Sequence, residues 1–232
     1  GTVFFSYCNL HCVYCQNYDI SQLAEGYEIS EEKLADIFLE LQLIGAHNIN
    51  LVSPTHYLPQ IVKALCLAVQ RGLNLPIVYN TGGYDNPEVV KLLEGIVDIY
   101  MPDMKYSINE NAKKYSSAEN YWEINKILVK EMYRQVGGLK VHNSIAYKGL
   151  LIRHLVLPND IAGSKQIIDF IAEEVGKDVY LNIMVQYRPC YKANMFSELN
   201  RRITVNEYIE VVNYAETKGF KNLDKEQILI FV

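Results

Sequence analysis

Gly149-Leu150-Leu151-Ile152-Arg153-His154-Leu155-Val156-Leu157-Pro158 reads as a strand closed by a proline. Its apolar residues do not alternate with polar ones. Leu155, Val156 and Leu157 stand in a row, so both faces of the strand are expected to be covered. A helical pattern follows over Ser164–Val175 and is stopped by Gly176, and a further strand is expected over Val179–Gln186. Strand, helix and strand in series make the repeating unit of a parallel sheet with right-handed crossovers. Arg153 places a charge inside the apolar run, and a charged side chain is rarely buried without a partner. In a barrel strand Arg153 would point into the cavity and its neighbour His154 outward.

The same unit recurs upstream. Strands are expected at Thr2–Ser6, Asn50–Ser53, Pro76–Thr81 and Ile96–Met101. Between them lie a helix capped by Ser30 and stopped by Gly45, a helix over Leu58–Gln70 stopped by Gly72, and a helix over Pro87–Leu93 capped by Asn86. Asn109–Val136 carries helix up to Gly137-Gly138, and Thr204–Lys218 forms the last helix before Gly219. Ile228–Val232 reads as a terminal strand or packing tail. The expected fold class is therefore α/β, with six strand-then-helix units. A closed barrel of this kind needs eight, so six give a partial (β/α)6 barrel of parallel strands with outer helices. With no linker-like tract, residues 1–232 read as a single domain. In such sheets the site lies at the carboxyl ends of the strands.

The chain has 232 residues, 50% of them apolar, and carries 22 basic against 27 acidic side chains. The apolar content excludes a disordered chain. A net charge of −5 argues against nucleic acid as a partner. No apolar run approaches the ~18–20 residues of a membrane span. The 18 tyrosines are spread along the chain, as helix–barrel packing and rim contacts would require. Gly1 stands where an initiator Met would, and a strand begins at once without a signal peptide, so a natural N-terminal extension is expected to be missing.

The first strand runs into Cys8-Asn9-Leu10-His11-Cys12-Val13-Tyr14-Cys15, a C-x3-C-x2-C spacing on one short loop. Three thiolates so placed can wrap one metal centre. A structural zinc site wants four ligands, and His11 is the nearest candidate for the fourth, though its reach beside Cys12 is awkward. A four-iron cluster held by three cysteines leaves one iron open to an exogenous ligand. Cys66 lies on an amphipathic helix and reads as core, and Cys190 as packing.

Phe4 to Asn17 resembles the cluster loop of radical S-adenosylmethionine (SAM) enzymes, whose pattern is C-x3-C-x-aromatic-C, with Tyr14 in the aromatic place. More closely it is similar to the pyruvate formate-lyase activating enzyme group, in a branch of unassigned substrate. The resemblance implies that Cys8, Cys12 and Cys15 bind three irons of a [4Fe–4S] cluster and that SAM chelates the fourth. It implies reductive cleavage of SAM to a 5′-deoxyadenosyl radical, which abstracts a hydrogen atom from a substrate. If the substrate is a glycyl radical enzyme, the atom comes from a glycine Cα. Electrons would come from a donor such as flavodoxin or ferredoxin, and an exposed cluster implies a reduced, cytoplasmic setting. A small molecule or a nucleoside stands as an alternative substrate, and a non-catalytic cluster- or zinc-stabilised binding domain as an alternative function.

The remaining strand ends supply candidate cofactor-binding residues. Ser53-Pro54-Thr55-His56 stands where the family often has Gly-Gly-Glu, so Thr55 and His56 are the candidates there. Tyr7 stands where relatives tend to have Gly, a change expected to alter packing under the cluster. Asn80-Thr81-Gly82-Gly83 resembles a Thr-Asn-Gly turn facing SAM, and its paired glycines would let backbone approach a ligand. Asp103 and Lys105, two apart, share a direction and suit a zwitterion. They match a charged pair of the activases, as Arg153 matches their strand arginine. Gln186 and Arg188 complete the set as contacts for the adenosyl group or the substrate.

Overall fold

A computed structural model gives the structure of the protein and describes residues 1–224. Ile228–Val232 lies outside the described residues. Six parallel strands appear where strand-then-helix units are expected: β1 (Thr2–Phe4), β2 (Ile49–Val52), β3 (Ile77–Thr81), β4 (Ile99–Pro102), β6 (Ile145–Leu155) and β7 (Tyr180–Met184). The sheet order is β1-β2-β3-β4-β6-β7-β8, where β8 (Asn222–Asp224) pairs in parallel with β7. β5 (Lys140–His142) folds back antiparallel on β6. Among the described residues β1 and β8 are the two ends of this path, so the parallel barrel is partial.

The helices are α1 (Tyr18–Ser21), which lies beside the cysteine loop, α2 (Glu31–Leu43), α3 (Leu58–Gln70), α4 (Pro87–Lys91), α5 (Asn109–Ser116), α6 (Tyr121–Val136), α7 (Ser164–Phe170) and α8 (Val205–Lys218). The Ser30 hydroxyl accepts from the Lys33 amide at the start of α2. Thr204 and Glu207 complete a reciprocal capping box on α8. Every residue of β3 is buried, as a central strand covered on both faces must be. Tyr79, Tyr100, Tyr106, Tyr121 and Tyr208 are among the largest fully buried side chains, which accounts for part of the tyrosine content.

Several expectations are corrected. The tract over 109–136 is two helices, separated by Ser117 and Asn120 in left-handed conformations. The strand expected from Gly149 begins at Ile145, because a hairpin extends it below the sheet. Cys66 is exposed: the buried face of α3 is Leu58, Ile61, Ala64, Leu65 and Ala68. Tyr7 is also exposed and does not pack beneath the loop. No helix among the described residues is long and apolar enough to cross a membrane.

Candidate functional site

The carboxyl ends of the strands surround an open cleft of about 1040 Å³, part of it continuous with solvent. Cys8, Cys12 and Cys15 all line it, with Asn80, Thr81, Gly82, Asp103, Lys105, Arg153 and Gln186. The loop that carries the cysteines is pinned by backbone bonds. Tyr7 N–H donates to Ile20 O (3.0 Å), His11 N–H to Ser116 O (3.0 Å) and Val13 N–H to Tyr115 O (2.8 Å). Lys192 N–H in turn donates to Val13 O (2.8 Å), so the segment after β7 rests on the loop.

Each sulfur has a polar neighbour. Leu10 N–H lies 3.4 Å from Cys8 Sγ, the Ser116 hydroxyl 3.0 Å from Cys12 Sγ, and Ser21 Oγ 3.2 Å from Cys15 Sγ. In the iron-free chain burial pushes the Cys8 thiol up and the Cys12 thiol up to about 12, against the pull of the Lys105 ammonium. Thiolates in such a setting need a metal to stay ionised. His11 turns away from the cleft, with Nδ1 2.8 Å from Gln22 Oε1 on the surface. Among the described residues no three His, Cys, Asp or Glu side chains converge on one ion. The donors therefore fit a multinuclear cluster, whose irons take one thiolate each, better than a single zinc.

Opposite the thiols stands a charged group. Lys105 Nζ is 2.5 Å from Asp103 Oδ2, and Arg153 Nη2 is 2.7 Å from Asp103 Oδ1. Burial pushes the Asp103 carboxyl up, but Arg153 and Lys105 outweigh it and hold it below the usual value. Burial also opposes the charge on Lys105, yet Asp103 raises its pKa above the ordinary one. The Arg153–Asp103 approach does not meet hydrogen-bond geometry, so Asp103 Oδ1 and Arg153 Nε are buried without hydrogen-bond partners. A group of both charges at a cleft wall suits a zwitterionic ligand.

Between the two walls lies the turn after β3. A Cβ on Gly82 would come 2.6 Å from Leu10 Cδ1, and one on Gly83 only 2.0 Å from Asp103 O. Gly83 also has φ +75°, so the turn requires glycine there. Asn125 Nδ2 donates to Gly83 O (2.8 Å) and Asp103 O (3.1 Å), tying this turn to the charged wall. Thr81 Oγ1 donates to Asp85 Oδ2 (2.5 Å).

Thr55 and His56 are not brought to the cleft. Thr55 Oγ1 donates to Asp85 Oδ1 (2.5 Å), and His56 Nε2 lies 2.7 Å from Ser6 O on the surface. The end of β2 instead presents Ser53, at φ +55°. Tyr14 lines the cleft and its hydroxyl meets that of Tyr106 at 2.6 Å. Gln186 reaches the rim, where its carbonyl accepts from Gln16 Nε2 (3.0 Å), whereas Arg188 is exposed outside the lining. His154 faces outward and is buried, its Nδ1 2.7 Å from Met104 O and its Nε2 2.8 Å from Ser164 Oγ. Burial lowers its pKa.

Sequence reasoning missed Ser53, Asp85, Ser116, Tyr106 and Asn125. The strand-end rule reaches Ser53, which directly follows β2, and Asp85, in the loop after β3. Nothing local marks the other three, which act from α5, α6 and the loop before them.

Three thiols facing a carboxylate–lysine–arginine group across the mouth of an open parallel barrel define a barrel that holds a metal cluster and a charged small cofactor. The Radical SAM superfamily model matches residues 2–134, and the chain belongs to that superfamily. An uncharacterised protein of Methanocaldococcus jannaschii, MJ0674, is 35% identical over 224 residues, which are 93% of this chain and 61% of that protein. The chain thus spans less than two thirds of this relative. Among solved structures, native anSMEcpe with bound AdoMet superposes with TM-score 0.62 at 13% identity, over 93% of this chain and 60% of that one. Streptococcus suis SuiB bound to S-adenosylmethionine superposes with TM-score 0.67 at 11% identity, over 98% and 51%. At these identities the likeness shows a shared fold. Superfamily members bind a [4Fe–4S] cluster and S-adenosylmethionine, which are the cofactors of this barrel.

Proposed function

We propose that the chain is the catalytic barrel of a radical SAM enzyme that abstracts a hydrogen atom from its substrate. The observation that carries this is the pairing, in one cleft, of Cys8, Cys12 and Cys15 with the Asp103–Lys105–Arg153 group. The three thiolates would each hold one iron. Lys105 and Arg153 would receive the SAM carboxylate, with Asn80 and Thr81 on the adjoining wall. The chemistry supplied by the bound cofactors is one-electron cleavage of SAM followed by hydrogen-atom abstraction. The protein's own part is to bind, orient and dry the site. Asp103 keeps the two cations in place, Gly82 lets Leu10 close against the turn, and Val52, Leu155 and Met184 give the cleft apolar wall.

The finer reading, from the likeness of the cysteine loop and strand ends to the activases, is that the hydrogen comes from a glycine Cα of a partner protein. The open side of the cleft would admit a peptide loop. An electron donor such as flavodoxin or ferredoxin would reduce the cluster.

Anaerobic reconstitution tests the proposal. The wild-type chain is expected to hold four irons per cluster and to yield 5′-deoxyadenosine on reduction with SAM, while Cys12→Ala loses both. A colourless zinc-replete protein, or a full cluster that never forms 5′-deoxyadenosine, would sink the enzyme reading. A glycyl radical signal on an incubated partner protein distinguishes the activase reading from small-molecule chemistry.

A further inference from the structure

Cys12 ends a buried file of hydroxyls. Ser116 Oγ lies 3.0 Å from Cys12 Sγ, Tyr106 OH 2.8 Å from Ser116 Oγ, and Tyr14 OH 2.6 Å from Tyr106 OH. Tyr106 and Ser116 are fully buried and Tyr14 is 5% exposed. Three separate segments supply these groups, and the backbone bond from His11 N–H to Ser116 O ties the cysteine loop to the end of α5. In the free thiol either partner of each tyrosine contact can be the donor.

Coordination removes that freedom. A metal-bound thiolate has no proton to give and can only accept. Ser116 has one hydroxyl proton and must direct it to Cys12 Sγ. Its oxygen then accepts, so Tyr106 must donate to Ser116. The Tyr106 oxygen is likewise left as acceptor, so Tyr14 must donate to Tyr106. Counting protons therefore orders the whole file in one direction, from Tyr14 to the sulfur.

We infer that Tyr14, Tyr106 and Ser116 form a one-way hydrogen-bond relay that raises the reduction potential of the cluster bound through Cys12. This rests on the cluster assignment above. A donor aimed at a cluster sulfur stabilises the more negative, reduced state. Hydrogen bonds in file polarise one another in a low dielectric, so the two tyrosines strengthen the last bond without touching the sulfur. The relay gives the aromatic place of the cysteine motif a chemical reason to be tyrosine in this chain. All three are positioning residues, since each acts on the iron through Cys12.

The test is an EPR-monitored redox titration of the reconstituted holoprotein, without SAM, alongside iron analysis. Ser116→Ala is expected to lower the ratio of reduced to oxidised clusters at the wild-type midpoint about tenfold, about 59 mV for one electron. Tyr106→Phe and then Tyr14→Phe should shift it in the same direction by decreasing amounts, and Ser116→Thr should restore it. Tyr106→Phe removes one oxygen and no packing volume, so it carries the test where Ser116→Ala loses iron. Unchanged potentials in iron-replete variants, or shifts of the opposite sign, overturn the relay alone. A wild-type chain that takes up no cluster overturns the relay together with the cofactor assignment. A structural role for the file would change stability and leave the potential where it is.

Discussion

Asp103→Asn keeps the shape of the side chain and removes its charge, and its cost follows from what is left behind. The carboxylate is 11% exposed and serves two cations, Lys105 at 2.5 Å and Arg153 at 2.7 Å. The substitution weakens one charge-assisted hydrogen bond, from Lys105, of about 1.5–3 kcal/mol, and with it the ion pair to Arg153. It also leaves two cations, 16% and 27% exposed, beside each other with no counter-charge. Breaking a buried pair by removing one partner costs about 3–5 kcal/mol. Both cations reach the cleft and its water, which places the expected loss near the lower bound, about 3 kcal/mol. For a chain of this length that lowers the melting temperature by about 6–12 °C. Scanning fluorimetry at fixed scan rate reads it. Sulfate should recover part of the loss in the variant and little in wild type, because an anion in the cleft replaces the missing charge. Asp103→Asn combined with Lys105→Met should melt higher than Asp103→Asn alone, since one stranded cation has gone. A drop of under 2 °C, or strictly additive substitutions, would refute the view that Asp103 holds the two cations together.

Two further outcomes follow from single contacts. Gly83→Ala places a Cβ against Asp103 O and Asn125 Nδ2 at a left-handed φ, so it should weaken SAM binding at least tenfold, read by calorimetry on the holoprotein, while iron content stays at the wild-type value. Unchanged affinity would remove the turn from the ligand site. Burial holds the His154 pKa below its ordinary value of 6.5. Below that pH the unfolded chain binds the extra proton and the folded one does not, so stability is full above 6.5 and is lost as pH falls toward the folded value. The melting temperature should therefore decline between pH 7 and 5.5, and decline less in His154→Asn; parallel declines would show that other groups set the slope.

The legible parts of this chain were those written in local sequence. Leu155, Val156 and Leu157 in a row announce a strand covered on both faces, and the close spacing of Cys8, Cys12 and Cys15 anticipates three thiols lining one cleft. Asp103 and Lys105 were readable because two-residue spacing on an extended segment shares a face, and β4 does end there. The illegible parts are contacts between distant segments. Ser116 lies 104 residues from the cysteine it touches, and on α5 it resembles any helix-terminal serine. The amphipathic pattern of α3 suggests a buried Cys66, but successive helical residues are 100° apart and the buried stripe passes it by.

Tyr7 and Ser53 mark the point where sequence pattern and backbone separate. By resemblance both stand at places where glycine is usual, and as side chains they read as departures. Their backbones, at φ +65° and +55°, occupy the left-handed region that makes glycine usual. Here non-glycine residues hold that conformation, at about 1–2 kcal/mol for each. The strain sits on both sides of the cleft, immediately before Cys8 and at the end of β2, where the loop must turn inward for a thiol or a hydroxyl to face the cavity. The left-handed turns at Tyr7 and Ser53 thus accompany the placement of Cys8 and Ser53 in the cleft lining.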